Sequence, residues 1–272
     1  MTAASWAARV FLITVAALCL AAPWVAPSGY AEQHRDHPGE GPSAQFPLGT
    51  DDLGRDRLSR LLYGARLSLL LAPLAAVLST MLAAVAGAVA GWRGGWIGRG
   101  GTLIATLFLS MPWMFLLLAV RALLPLNTSP LASAALTFLL LSLLGWAGPS
   151  RVFQAAARQV RNSDFLLQAR ALGIPPVRIL WRHLLPVLSP VALAQFWLAV
   201  PLFILSEANL SLLGLGVAEP LPSLGSLLTE LQDYASIPSR PWVLAPAGLL
   251  VAVMAALQAA GPGGPRRAEE GS

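Results

Sequence analysis

The sequence predicts an all-α polytopic membrane protein of about six transmembrane helices, on the strength of three observations. The chain is 56% hydrophobic and only 11% charged across 272 residues, with a mean hydropathy of +0.66. Several apolar runs approach the ~20 residues that cross ~30 Å of hydrocarbon at ~1.5 Å per residue. Two of them, Leu67 to Gly91 and Leu131 to Ala147, are apolar or small nearly all round, where a soluble helix would carry a polar stripe.

The first span is placed at Trp6 to Pro27. Arg9 near its start and the small residues Ala21 and Ala22 also permit a cleaved signal peptide; a retained span is the expectation. Cys19, the only cysteine, has no partner for an internal disulfide and suits a small packing position. In the segment that follows, His34, Asp36 and His37 read as solvated loop residues, since a defined metal site normally gathers three or four ligands. The mixed-charge run Arg55, Asp56, Arg57, Arg60 and Arg66 suits either an external helix across the mouth of a pore or a solvated loop.

The remaining spans are Leu67 to Gly91, Thr102 to Leu124, Leu131 to Ala147, Val187 to Ser206 and Trp242 to Ala260. Pro73, Pro112, Pro190, Pro201 and Pro246 lie inside or at the edges of these runs. Neighbouring helices can absorb the lost hydrogen bonds, so kinks are expected there and not loops. The chain thus divides into residues 1–66, a first helix with an extracytoplasmic segment; 67–260, a core transmembrane domain; and 261–272, a short cytoplasmic tail.

Orientation follows from arginine, because the chain has no lysine. The loops on one side collect 11 arginines against three acids, and those on the other collect seven against ten. The richer side holds both termini and the loop from Arg151 to Pro186, which are therefore expected in the cytoplasm. Charges spread along short loops in this way record topology and give no footprint for nucleic acid.

That cytoplasmic loop contains "QARALGIPPVRILWRHLLP", Gln168 to Pro186. Ser163 is expected to cap a short helix, with Asp164 in its first turn. Phe165, Leu166, Ala169 and Leu172 then fall on one face. Gly173 and Pro175 stop that helix, and Pro176 opens a second. The second sets Arg178 and Arg182 one turn apart, with Val177, Leu180, Trp181 and Leu184 as an apolar band, and should lie at the interface before entering the fifth span after Pro186. A protruding helix, turn and helix is a shape suited to docking.

Here the sequence resembles a known family. Ala169, Gly173, Ile179, His183 and Pro186 sit at the spacing of the cytoplasmic "EAA" coupling loop of ABC importer permeases, and "ARALG…RI…RHLLP" resembles the dipeptide, oligopeptide and nickel branch. Three further blocks resemble the C-type permease of that branch, in the family's order: "FPLGTDDLGRDRLSRLLYGARLSL", "WRGGWIGR" and "LSEANLSLLGLG". The motif's glutamate and first alanine fall here at Leu167 and Gln168, which makes this helix more apolar than its relatives.

The resemblance implies a multi-pass subunit of a bacterial inner membrane, embedded in lipid and paired with a second permease subunit as a heterodimer. It also implies two cytoplasmic ABC ATPase subunits and an extracytoplasmic solute-binding protein. Phe165, Leu166, Ala169, Arg170, Leu172, Gly173, Arg178, His183 and Pro186 would then form the ATPase-coupling loop. The solute would be a di- or oligopeptide, or nickel, moved by alternating access. No catalytic residue, cofactor or metal is expected on this chain. A P-loop needs a lysine, and the isolated Gly214-x-Gly216 reads as a packed turn.

Glu207, with Ser206 and Asn209, stands at the end of the fifth span. A carboxylate there must be paired or wetted, which makes these residues candidates for the translocation path and a simple boundary position the other reading. The rival functions are a secondary transporter or channel, which would show intramembrane acids or paired broken helices, and a membrane-embedded enzyme, for which the polar groups do not converge.

Overall fold

A computed structural model of the chain describes residues 3–261 apart from 124–127, 165, 167, 169–171, 173 and 236. Among the described residues the fold is helical, and the one β contact is an isolated bridge between Thr50 and Asp56. The helices are α1 Ala3–Leu20, α2 Ala22–Val25, α3 Arg57–Arg93, α4 Gly95–Ser110, α5 Trp113–Ala122, α6 Pro130–Leu144 and α7 Ala147–Arg161. They continue as α8 Pro176–Ile179, a π-helical turn Leu180–Leu184, α9 Leu185–Leu212, α10 Leu224–Leu227 and α11 Ala245–Ala260.

Among the described residues, four stretches are long and apolar enough to cross a membrane: Arg57–Arg93, Pro130–Arg161, Leu180–Leu212 and Pro241–Ala260. These correspond to the second, fourth, fifth and sixth expected spans. The other two differ. The first apolar helix is shorter than a span, because Pro23 in the first turn of α2 has no N–H to carry the α1 ladder past Leu20. The third expected span is not one helix: α4 and α5 meet at 85°. Pro112 biases Met111 to extended backbone (φ −87°, ψ 130°) and cannot donate to the preceding turn. Pro73, Pro190 and Pro201, by contrast, stay inside helices. The boundary expected at residue 66 falls inside α3.

The chain divides into two compact units, residues 1–72, 124–138 and 201–272 in the first and residues 73–123 and 139–200 in the second. In the first unit α1 packs along α11, and the Arg9 guanidinium reaches the Ala260 carbonyl at the end of α11 (3.4 Å). Asp56 caps α3, its carboxylate accepting from the Ser59 amide (2.7 Å) and the Ser59 hydroxyl (2.5 Å).

In the second unit the core gathers Ala83, Phe153, Ala157, Val160, Leu184 and Leu188. The helix α7 at its centre was not anticipated from the sequence, which reads its arginines as loop charge. Its buried residues Ser150, Phe153, Gln154, Ala157 and Val160 recur at helical spacing. α3 approaches it without side chains in between, since a Cβ on Gly87 would lie 2.2 Å from the Ser150 carbonyl oxygen and one on Gly91 2.4 Å from that of Gln154. Gly87 and Gly91 are the small-x-x-x-small pair that lets two membrane helices touch through their backbones. On its other flank α7 holds α4 by Gln154, which donates to the Gly98 carbonyl (3.1 Å) and to Thr102 Oγ1 (2.9 Å).

Candidate functional site

The segment expected to form the coupling loop begins where α7 ends. The Ser163 hydroxyl, expected to cap the next helix, donates back to the Val160 carbonyl (2.7 Å) at the end of α7. The next turn is held by backbone bonds from the Leu166 amide to the Ser163 carbonyl (3.0 Å) and from the Leu172 amide to the Gln168 carbonyl (3.0 Å). Of the four residues expected on the docking face, Leu166 is fully buried within the chain and Leu172 is 81% exposed. Phe165, Ala169, Arg170 and Gly173 lie outside the described residues.

α8 opens at Pro176 as the sequence predicts, and the chain then runs from it through the π turn into α9 without a break before the fifth span. The Leu185 amide bonds the Leu180 carbonyl, five residues back. That wide turn directly precedes Pro186, whose ring would crowd the carbonyl four residues earlier in an α-helix, and widening relieves the clash. The expected apolar band splits as a result. Ile179 and Leu184 face inward at 2% exposure each, and Leu180 and Trp181 face out. Arg178, Arg182 and Pro186 are exposed and His183 is half-buried. Among the described residues, the surface this segment presents includes Gln168, Leu172, Arg178, Leu180, Trp181, Arg182 and Pro186.

The second predicted group lies in the first unit. α9 ends in a Schellman motif: Gly214 adopts φ +75°, its amide bonds the Ser211 carbonyl (2.9 Å) and the Leu215 amide bonds Leu210 (2.8 Å). The chain then returns to α10, whose first turn is a capping box between Ser223 and Ser226. Glu207, fully buried, ties the two together. Its Oε1 accepts from the Ser211 hydroxyl (2.7 Å) and the Ser223 hydroxyl (2.6 Å), and its Oε2 accepts from the Gly225 amide (3.3 Å). Glu207, expected on a translocation path or at a boundary position, thus clamps α9 to α10 in this structure. Ser206 is also buried; Asn209 alone of the three is exposed.

In the mixed-charge run, Asp56 caps α3, Arg57, Arg60 and Arg66 lie on that helix, and several of the charges are paired. Glu219 bridges Arg55 (2.7 Å) and Arg60 (3.0 Å), and Asp51 receives Arg55 Nε (2.6 Å) and the Leu53 and Arg55 amides. Burial works against the Arg55 charge, and the bonds to Asp51 and Glu219 more than offset it, holding the guanidinium above its ordinary pKa. Arg57 pairs with Glu230. The Asp51 and Arg55 spacing was legible, whereas Glu219 lies more than 150 residues away. His37 bonds Glu40 (2.8 Å), and the rings of His34 and His37 stand against Phe46. Among the described residues no group of three or more His, Cys, Asp or Glu gathers as a metal site.

The family model described as "Binding-protein-dependent transport system inner membrane component" matches residues 83–259. The chain is similar to a di/tripeptide transport system permease protein of Pseudomonas aeruginosa, 34% identical over 89% of this chain and 79% of that protein. It is similar to a dipeptide transport system permease protein of Escherichia coli K12, 37% identical over 89% and 80%. An oligopeptide transport system permease protein of Bacillus subtilis is 28% identical over 93% and 81%.

Proposed function

The chain belongs to the inner membrane components of binding-protein-dependent transport systems, and from that premise we propose that it is the permease subunit through which an ATP-driven importer moves di- or oligopeptides. As a family member it is a multi-pass transport component of the inner membrane and not an enzyme. The observation that carries the solute class is that the three relatives, all named as peptide permeases, align with about four-fifths of their own length.

The partners in this reading are a second permease subunit, two cytoplasmic ATPases and an extracytoplasmic solute-binding protein. The ATPase grips the segment around Leu172, Arg178, Trp181 and Arg182. A push at Arg178, Trp181 and Arg182 enters a helix that continues to Leu212 with no loop between to absorb it. ATP binding and hydrolysis then alternate the access of a central cavity.

Deletion of the gene, with uptake of labelled dipeptide and co-purification through a tagged chain, tests the reading. Uptake should be lost, and an ATPase should co-purify. Unchanged uptake of every peptide tried together with no associated ATPase would overturn it. Gly173→Asp should abolish uptake while leaving membrane insertion and abundance at wild-type levels, and wild-type uptake would count against coupling through this segment.

A further inference from the structure

The second unit holds a groove of about 660 Å³ walled by the turn between α3 and α4, the start of α4 and the end of α7. Three arginines line it: Arg99, Arg158 and Arg161. Among the described residues none of them pairs with a carboxylate. Their partners are neutral: Arg161 donates to the Trp92 carbonyl (3.5 Å) and Asn162 Oδ1 (3.3 Å), and Arg99 stands 5.6 Å from the centre of the Trp96 ring. Three cations lining one concavity repel each other unless an anion sits among them, and the ion pairs among the described residues are all elsewhere.

Two further features narrow the anion. Gly94, with φ +64°, stands at the N-cap of α4 with no side-chain cap, so the first-turn amides of α4 add partial positive charge to the same wall. The groove is also lined by Leu103, which is 60% exposed, and nearer the start of the same helix, outside the groove lining, Trp96 and Ile97 are 86% and 48% exposed. Exposed tryptophan next to exposed aliphatics marks the level where headgroups meet acyl chains. A soluble anion would account for the arginines but leave that apolar wall in water.

The geometry points to a binding site for an anionic phospholipid, its phosphate held among Arg99, Arg158 and Arg161 and its acyl chain lying along Leu103. Zwitterionic lipid fits less well, because its own ammonium meets three guanidinium groups.

Native mass spectrometry of the full-length chain, purified in detergent and offered phosphatidylglycerol or phosphatidylcholine with the same acyl chains, tests this. Wild type should retain phosphatidylglycerol preferentially. The double variant R99Q/R158Q should hold it on the order of 30-fold more weakly, at about fivefold for each arginine near a membrane surface. Both side chains are exposed, so the melting temperature of the variant should match wild type and separate lost binding from lost folding. Arg182→Gln, an exposed charge outside the groove, should leave retention unchanged.

Equal retention of phosphatidylglycerol by wild type and R99Q/R158Q, or of the two lipids by wild type, overturns the proposal. In a parallel arm, inorganic phosphate that binds with the same arginine dependence and displaces the lipid at millimolar concentration would reassign the groove to a soluble anion and overturn it too. So would the absence of any lipid preference together with crosslinks from cysteines at 99 and 158 to a partner subunit, which would make the groove a protein interface.

Discussion

Two hydroxyls and one amide donate to the Glu207 carboxylate, which has no contact with solvent. Removing the acceptor strands three donors inside the fold, and each buried unpaired group costs ~1–3 kcal/mol. Glu207→Ala is therefore expected to destabilise the chain by about 3 kcal/mol, and Glu207→Gln, which keeps one carbonyl oxygen, by about 1 kcal/mol. Thermal unfolding in detergent would read the difference; equal melting temperatures for wild type and Glu207→Ala would refute the clamp. The sequence shows the need for partners at Glu207 but not their source. Ser211 is one turn away and visible, while Ser223 arrives only after the Schellman turn has reversed the chain. The same holds for Asp51 and Arg55, readable as neighbours, and for Glu219, which only the tertiary fold supplies.

Among the elements, the least legible is α7. Its arginines are spread around an exposed side, and positive-inside reasoning assigns them to a loop, yet every third or fourth residue from Ser150 to Val160 is buried. The matching signal in α3 is "GAVAG", Gly87 to Gly91, which lies in a uniformly apolar run and so carries no periodicity of its own. Gly91→Leu should cost about 3 kcal/mol, the upper part of the ordinary range for overpacking, because its Cβ would meet the Gln154 carbonyl oxygen at 2.4 Å. Loss of the monodisperse peak in size-exclusion chromatography, or a melting temperature lowered by several degrees, is the expected outcome; Gly91→Leu as stable as wild type would show that α3 and α7 are not in backbone contact. Prolines were legible as interruptions but not by kind. Pro73 sits within α3, and Pro112 ends α4, a difference that depends on what surrounds the freed carbonyl and is invisible in one dimension.

At the scale of the whole molecule, four of six spans were readable because a long all-round apolar run has few alternatives to a buried helix. The orientation drawn from arginine makes a direct prediction. In a Cys19→Ala background, a cysteine at Asp52 should react with a membrane-impermeant maleimide in intact cells, and one at Trp181 only after permeabilisation. Both side chains are exposed, so the reverse pattern would invert the topology. The corner between α4 and α5 bears on the life of the chain before assembly. Sixteen residues of α4 rise about 24 Å, short of the ~30 Å of hydrocarbon, so the non-helical backbone at Met111 falls inside the bilayer. Such backbone persists only where protein or a water-filled path covers it, yet Met111 is 51% and Phe115 70% exposed on this chain. If the second permease subunit proposed above supplies that cover, an unassembled copy would expose this corner to cellular quality control, and subunits made in excess would carry their own mark for degradation.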